Sequence, residues 1–224
     1  MGRYDRNGIF TAQDMEVLEN SKVCIVGCGG LGGYVLELIA RVGIQEITVV
    51  DGDVFDESNL NRQLLSMPDN LGEVKVLEAK KRISRLNPKA EITAVHDYLG
   101  PHNAGKIIDG MDIVIDALDN IPIRLVLQQA CEEKNIPLVH GAIAGWYGQV
   151  TTVMPGDWTL NRVYSSGHKK GIETEIGNPS FTPAYVASIQ VSEALKVLTN
   201  KGETLRNQIM YIDLLDNEVH ILPI

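Results

Sequence analysis

Short apolar or alternating runs follow one another along the chain, separated by amphipathic stretches. The runs predict strands at residues 23–26, 47–50, 91–95, 113–115, 137–140 and 149–153. Helices are predicted between them, from about residue 11, at 70–86 and at 122–135, where apolar residues recur at helical spacing. Alternating strands and helices are typical of the α/β class. We therefore expect a Rossmann-like, mostly parallel sheet with helices on both faces.

The last third of the chain has a different pattern. Residues 155–183 are rich in Gly, Ser, Asn and Lys, which predicts a mobile crossover loop. Pro183 then opens an amphipathic helix, and two C-terminal antiparallel strands at 208–213 and 218–222 extend the sheet. We expect a single domain over residues 1–224, divided into an N-terminal arm (1–22), a nucleotide-binding sheet (23–154), the crossover loop (155–183) and the terminal helix and strands (184–224).

The first predicted strand runs directly into a glycine-rich turn, GCGGLG at residues 27–32. In such a turn Gly27 permits the tight bend, Gly29 lets the backbone approach a phosphate, and Gly32 allows the helix to pack closely on the strand. Asp51 ends the second strand 19 residues after Gly32, where a carboxylate can accept hydrogen bonds from ribose hydroxyls. The stretch predicts a nucleotide site.

Composition and charge exclude several classes of protein. The chain is 44% hydrophobic and 22% charged, and no apolar run approaches the roughly 20 residues that cross a bilayer. Because residues 1–10 are polar and do not resemble a secretory signal, we expect a cytoplasmic protein without a membrane partner. A formal charge of −9 argues against a nucleic-acid partner, since phosphate backbones require a basic surface.

A glycine turn alone does not separate a nucleotidyltransferase from a nicotinamide- or flavin-dependent oxidoreductase. A dehydrogenase usually needs a further substrate domain, and fewer than about 75 residues follow the predicted sheet. The cations Arg62 and Lys75 and the carboxylates Asp116 and Asp119 suit triphosphate chemistry better. Nucleotidyl transfer needs cations on the phosphates and a carboxylate that holds Mg²⁺.

Several motifs together resemble the ThiF/MoeB/HesA adenylyltransferases, bacterial relatives of the ubiquitin-activating enzymes. They are RYDR at 3–6, GCGGLGG at 27–33, VDGDVFDESNLNRQ at 50–63, the helix start at 72–75, DALDN at 116–120, GAIAGWYGQVTTVMPG at 141–156 and SIQVSEALKVL at 188–198. The resemblance covers nearly the whole chain. It implies a homodimer that uses MgATP to adenylate the Gly-Gly tail of a small ubiquitin-like sulfur-carrier protein and releases pyrophosphate, as in thiamine or molybdopterin synthesis. Adenylation of another carboxylate, as in the related tRNA-modifying dehydratases, is the alternative within the family.

The resemblance also assigns roles to residues. Asn59, Arg62 and Lys75 correspond to phosphate-binding and transition-state groups, Asp119 to the Mg²⁺ ligand, and Arg6 to an arginine that each subunit lends to its neighbour. The residues expected to bind the nucleotide are Gly27, Gly29, Gly30, Gly32, Asp51, Asp53, Asn59, Arg62, Gln63, Lys75, Leu118, Asp119 and Asn120.

The cysteines depart from the pattern of many family members. The chain has three, Cys24, Cys28 and Cys131, and none after Pro155, whereas many members carry two Cys-x-x-Cys pairs for zinc and some a crossover-loop cysteine. We therefore expect no structural zinc and an enzyme that stops at the acyl-adenylate. Cys28 is interpreted as a small residue that fits the turn. For Asp116 two roles are left open, metal binding and capping of the following helix.

Overall fold

A computed structural model describes residues 2–165 and 176–224. Its centre is one eight-stranded sheet. The strands are β1 (Lys22–Val26), β2 (Glu46–Val50), β3 (Glu91–Val95), β4 (Ile113–Asp116), β5 (Leu138–Ala144), β6 (Tyr147–Val153), β7 (Gln208–Asp213) and β8 (Glu218–Pro223). The helices are α1 (Ala12–Asn20), α2 (Gly30–Val42), α3 (Lys75–Leu86), α4 (Ala104–Ile107), α5 (Ile121–Lys134), α6 (Thr159–Val163) and α7 (Phe181–Thr199). Two short 3-10 helices, Glu57–Asn59 and Pro68–Asn70, lie between β2 and α3.

The strand order is β3-β2-β1-β4-β5-β6-β7-β8. The first five strands in this order pair in parallel, and β6, β7 and β8 continue the sheet with antiparallel pairing. The predicted fold class is confirmed. The antiparallel part begins with the β5–β6 hairpin, where Ala144 pairs with Tyr147 across a turn that contains Gly145 at φ 56°.

Alternation along the central strands divides the core into two layers. On β1, Val23 and Ile25 face a layer formed with α2, α3 and α7, whereas Cys24 and Val26 face a layer formed with α4, α5 and α6. All four side chains are at most 1% exposed. Because a strand that is covered on both faces must be apolar at every position, β1 reads as a continuous apolar run.

Helix α7 lies unusually close to the hairpin because two strand residues lack a Cβ. A Cβ on Gly148 would lie 2.3 Å from Cγ2 of Val186, and one on Gly141 would lie 2.4 Å from Cδ of Gln190. The close approach lets the buried Gln190 amide donate to the backbone oxygen of Asp116 at 2.8 Å. The last long helix is thereby tied to the end of β4.

Several boundaries differ from the predicted ones. Helix α3 begins at Lys75 rather than at residue 70, because Asn70 ends a 3-10 turn and Gly72 takes a φ of 84°. Helix α7 begins two residues before Pro183. The predicted crossover loop contains α6, and Thr159 and Leu160 of that helix are fully buried; residues 166–175 of the loop lie outside the described residues.

The N-terminal arm contacts the C-terminal ends of two helices. Arg3 donates to the backbone oxygen of Leu86 at 2.5 Å, and Asn7 donates to that of Val42 at 3.0 Å. Those carbonyls end α3 and α2, so the arm satisfies acceptors that a helix terminus leaves open. Within the described ranges, no helix combines the length and apolar character that crossing a membrane requires.

We predict that Gly148→Ala destabilises the protein by about 1–3 kcal/mol, because the new methyl group would overlap a β-branched side chain that has little freedom to move. Urea unfolding measures the change. Gly8→Ala is the matched control, since a Cβ there meets no atom within 4 Å. Equal stability of the two variants would contradict the close packing of α7.

A second prediction concerns acid stability at α1. Asp14 binds Lys201 and caps the helix through Thr11, and these contacts lower its pKa from 3.8 to about 2. The folded state therefore loses this stabilisation as the pH falls from about 4 toward 2, because the unfolded chain takes up the proton first. Between about pH 4 and about pH 2, the unfolding free energy of Asp14→Asn should fall less than that of the wild type. That of Glu16→Gln, on the same helix, should fall as much as that of the wild type. Urea titrations at each pH provide the test.

Candidate functional site

A cleft of about 340 Å³ opens at the carboxyl ends of β1, β2 and β4. The chain leaves β1 toward α2 on one face of the sheet and leaves β4 toward α5 on the other. In open α/β sheets, this divergence of neighbouring connections creates the crevice that binds ligands. Residues of the glycine turn, Asp51 and the motif at 116–120 all line this cleft.

The glycine turn has the geometry that its sequence predicts. Gly27 has φ 97°, and a Cβ on it would lie 2.5 Å from the backbone oxygen of Ala117. A Cβ on Gly32 would lie 1.8 Å from the oxygen of Gly27. Gly29 is the N-cap of α2, and with no side chain it leaves the first N–H groups of the helix accessible from the cleft. An anion is favoured at such a helix N-terminus.

Asp51 connects the turn to the second strand. Its carboxylate accepts from the backbone nitrogen of Cys28 at 2.7 Å and from that of Asp53 at 2.8 Å. A carboxylate oxygen can accept more than one hydrogen bond, so ribose hydroxyls remain possible donors. Burial, together with the nearby Asp51 charge, raises the pKa of the fully buried Cys28 thiol. A protonated, inaccessible thiol is a poor nucleophile, which agrees with a packing role for Cys28.

Lys75 is almost completely buried at the start of α3 and pairs with Asp53 at 3.0 Å. The hydroxyl of Tyr98 donates to the same carboxylate at 2.7 Å. Burial alone would raise the pKa of Asp53, but the Tyr98 hydrogen bond and the Lys75 charge hold it below its usual value. The Tyr98 ring lies directly over Gly52, where a Cβ would be 2.8 Å from the ring carbons. The Asp53 carboxylate thus holds the Lys75 side chain at the cleft wall.

Arg62 and Gln63 form the side of the cleft that faces the glycine turn. The Arg62 guanidinium donates to the backbone oxygen of Ser58 and to Oδ1 of Asn61, both at 2.9 Å. Its aliphatic part lies beside Gly30. The Gln63 side-chain oxygen is buried and has no hydrogen-bond partner within residues 2–165 and 176–224. Two polar groups therefore face the start of α2 from the preceding loop.

Asp119 lies at the cleft mouth, in the loop between β4 and α5. Its carboxylate is exposed and belongs to the cleft lining. One accessible carboxylate beside a phosphate-binding turn suits Mg²⁺, which is usually held by one or two carboxylates together with substrate phosphates. No group of three or more His, Cys, Asp or Glu side chains gathers as a metal site in the described parts of the chain.

Asp116 takes a role that differs from both predicted ones. It is completely buried, binds the equally buried His140 at 2.7 Å and accepts from the backbone nitrogen of Leu118 at 2.9 Å. Asn120, not Asp116, caps α5 by accepting from Ile123 N at 3.1 Å. Asp116 on β4 and His140 on the neighbouring β5 therefore form a buried pair inside the protein and not a metal site.

A second, larger groove adjoins the cleft. It has a volume of about 510 Å³ and lies over the ends of β5, β6 and β7. Arg124 and Ile143 line both cavities. The other groove residues are mostly apolar or aromatic and include Ile121, Ala144, Tyr147, Tyr164, Ile176, Tyr211 and Ile212. The apolar groove therefore continues directly into the polar cleft.

The structure brings most of the predicted site residues together. Those that line the cleft are Gly27, Gly29, Gly30, Asp51, Asp53, Arg62, Gln63, Lys75, Leu118 and Asp119. The other four lie elsewhere. Gly32 packs on the turn, Asn59 is buried and accepts from Asp56 N at 3.1 Å within its 3-10 turn, Asn120 caps α5, and Arg6 is exposed on the arm.

Some lining residues were not predicted from the sequence. They include Asp97, Tyr98, Leu99, Arg124 and Asn178. The first three lie two to four residues after the end of β3, so the rule that ligands bind at the carboxyl ends of strands could have identified them. Arg124 and Asn178 reach the cleft from α5 and from the segment before α7, which only the three-dimensional arrangement reveals.

Known proteins match this chain along nearly its whole length. The ThiF family model matches residues 4–224. The SAMP-activating enzyme E1 of Haloferax volcanii is 34% identical over 229 residues, which cover 100% of this chain and 85% of the relative. The sulfur carrier protein adenylyltransferase of Thermus thermophilus is 33% identical over 228 residues, which cover 96% of this chain and 84% of the relative.

A solved structure supports the fold. The crystal structure of Escherichia coli MccB with ATP superposes with a TM-score of 0.85 and 21% identity, over 100% of this chain and 71% of that one. With a family match over 4–224 and relatives above 30% identity, the glycine turn, the cleft and the sheet order all have one explanation: the chain belongs to the ThiF family.

Proposed function

We propose that this protein is an ATP-dependent adenylyltransferase that activates the C-terminal glycine carboxylate of a small ubiquitin-like sulfur carrier. The observation that carries the proposal is the adjacency of two cavities, a polar cleft with phosphate-binding groups and an apolar groove, which share Arg124 and Ile143. Relatives named as a SAMP-activating enzyme E1 and as a sulfur carrier protein adenylyltransferase support the same activity.

ATP would bind with its ribose at Asp51 and its phosphates over the glycine turn. The N-terminus of α2, Arg62 and Lys75 together provide positive charge for a polyphosphate, which a chain of net charge −9 must supply locally. Lys75 pairs with Asp53 in the structure, so it can exchange that partner for a phosphate oxygen with little movement. The Tyr98 ring beside Gly52 offers a flat surface near the ribose end.

In the proposed reaction, a carboxylate oxygen of the carrier tail attacks the α-phosphorus of ATP. The new bond is the acyl–phosphate bond, and the bond that breaks joins the α-phosphorus to the bridging oxygen of pyrophosphate, which leaves with the electron pair. The protein needs no nucleophile of its own for this step, only alignment and charge stabilisation. Mg²⁺ held at Asp119 would neutralise phosphate charge. The buried state of Cys24, Cys28 and Cys131 supports a reaction that ends at the acyl-adenylate.

The tail would occupy the apolar groove. A Gly-Gly terminus has no side chains to clash with a narrow path, and the apolar lining excludes water from the reactive acyl-phosphate. At the inner end of the groove the carboxylate would meet Arg124 beside the nucleotide cleft. The cationic group counters the repulsion between an incoming carboxylate and the triphosphate.

A homodimer would complete the site. Arg6 lies on the arm that contacts the C-terminal end of α2, whereas the cleft is at the N-terminal end of that helix. Thirteen residues of helix separate these ends by about 20 Å. Arg6 therefore cannot serve the cleft of its own subunit, and a neighbouring subunit is the site it could reach.

We predict carrier-dependent ATP–pyrophosphate exchange with a carrier that ends in Gly-Gly. Arg62→Ala and Asp119→Ala should each lower the exchange rate by about 10²–10³, because each removes a charge that the transition state requires. Lys106→Ala, which removes an exposed cation on α4, is the control and should retain the wild-type rate. Exchange that survives both site substitutions would refute the assignment, and tight NADH binding without ATP binding would refute the function.

A mixing experiment tests the role of Arg6. Arg6→Ala and Asp119→Ala should each be inactive alone, but subunit exchange between them should restore roughly a quarter of wild-type activity, because half of the dimers are mixed and each then has one intact site. Exchange rates before and after mixing give the answer. Full activity of Arg6→Ala alone, or no recovery after verified subunit exchange, would contradict the shared site.

A further inference from the structure

A chain of polar side chains runs from the buried end of β4 to Arg124, which lines both the polar cleft and the apolar groove. Asp116 binds Nδ1 of His140 at 2.7 Å, and Nε2 of His140 lies 3.0 Å from the Tyr164 hydroxyl. Arg124 Nη1 donates to that hydroxyl at 2.6 Å, and Gln149 donates to it at 2.9 Å. The His140 and Tyr164 rings meet edge to face, with centroids 5.7 Å apart.

The two ends of the chain determine the direction of every hydrogen bond in it. Arg124 has only donors, and an ionised Asp116 has only acceptors. Tyr164 must therefore accept from Arg124 and Gln149 and use its single proton to donate to Nε2 of His140. His140 in turn donates from Nδ1 to Asp116. Each lone pair and proton of the Tyr164 hydroxyl is used, so the arrangement has one consistent protonation state.

The chain connects parts of the molecule that are distant in sequence. Tyr164 directly follows α6, within the predicted crossover loop, and lines the groove. Arg124 also binds the backbone oxygen of Leu118, next to Asp119. The Tyr164 hydroxyl thus joins the crossover segment to the loop that carries the expected Mg²⁺ ligand.

Burying these polar side chains costs desolvation free energy, which apolar side chains would not cost. Asp116 and His140 are fully buried, and burial holds the pKa of His140 below its usual value despite the adjacent carboxylate. Ion pairs and polar groups in such surroundings contribute little net stability compared with apolar side chains of similar volume. Such groups do hold one another in a single orientation, because any other orientation would leave a buried polar group without a hydrogen-bond partner.

We propose that Tyr164 is a positioning residue for the adenylation reaction, holding Arg124 at the junction of the two cavities through the Asp116–His140–Tyr164 chain. The inference rests on the proposed function. Without the hydroxyl, the guanidinium keeps its Leu118 contact and its 3.8 Å ion pair with Asp116, but it loses the hydrogen bond that directs Nη1 toward Tyr164 at the groove. Recognition of the tail carboxylate then suffers more than recognition of ATP, because the nucleotide contacts Asp51, Lys75 and the glycine turn independently.

Kinetics of Tyr164→Phe provide the main test. The substitution retains the ring and its contact with His140, so kcat/KM for the carrier should fall about ten- to hundredfold, the effect of one hydrogen bond to a charged group. The Kd for ATP, measured by calorimetry without carrier, should stay within about twofold. Tyr185→Phe on α7, where the tyrosine is 43% exposed, is the matched control and should leave both values unchanged.

A merely structural role has a different signature. If Tyr164→Phe lowers the melting temperature but leaves kcat/KM for the carrier at the wild-type value well below that temperature, the positioning role is overturned. Equal weakening of ATP and carrier binding overturns it too. A wild-type protein that lacks carrier-dependent exchange overturns the proposed function and this role together, whereas an active wild type with an unaffected variant overturns only this role.

The direction of the hydrogen bonds is tested separately by nitrogen NMR of the wild-type histidines, with His140→Asn used for assignment. We expect neutral His140 with the proton on Nδ1 at pH 7. Asn can still donate to Asp116 but cannot reach Tyr164, so His140→Asn should reproduce the loss in kcat/KM for the carrier, and the double variant with Tyr164→Phe should lose little more. A proton on Nε2 of His140, or additive losses in the double variant, would overturn the chain.

Discussion

The close contact between the backbone after β1 and the backbone after β4 is the constraint on which the site depends. The Cα of Gly27 lies so near Ala117 that no side chain fits between them, and the oxygen of Gly27 occupies the space where Gly32 would carry a Cβ. The start of α2 can therefore lie beside Asp119, and one crevice receives both the helix N-terminus and the carboxylate. A single methyl group at either glycine would separate them.

The same close packing against glycine occurs where α7 covers the sheet, on the face that α2 also covers. Gly141 and Gly148 let α7 approach until Gln190 donates to the backbone oxygens of Asp116 and Val139, at 2.8 and 3.4 Å. The end of β4 is thus held from one face by α7 and within the sheet by His140. The loop that carries Leu118 and Asp119 directly follows this strand. Because the strand is held in place, the position of the loop at the cleft is preorganised.

The two buried cations of the cleft, Lys75 and Arg124, have partners in the absence of a ligand. Lys75 pairs with Asp53, and Arg124 pairs with the carbonyl of Leu118 and the hydroxyl of Tyr164. Buried charges need such partners. The pairing holds Lys75 at the cleft and Arg124 at the junction of the cleft and the groove.

The sequence by itself determined the fold class and the polar cleft. Apolar runs identified the strands, and the glycine turn, Asp51, Arg62, Lys75 and the motif at 116–120 converge because parallel strands bring their carboxyl ends to one edge. Each of these sequence features lies within a single strand or turn, so it can be recognised without knowing the tertiary structure. The tertiary structure alone decided the roles of Asp116, Tyr98 and Tyr164 and the distance of Arg6 from the cleft. Those depend on which side chains meet across layers, and no spacing along the chain encodes that.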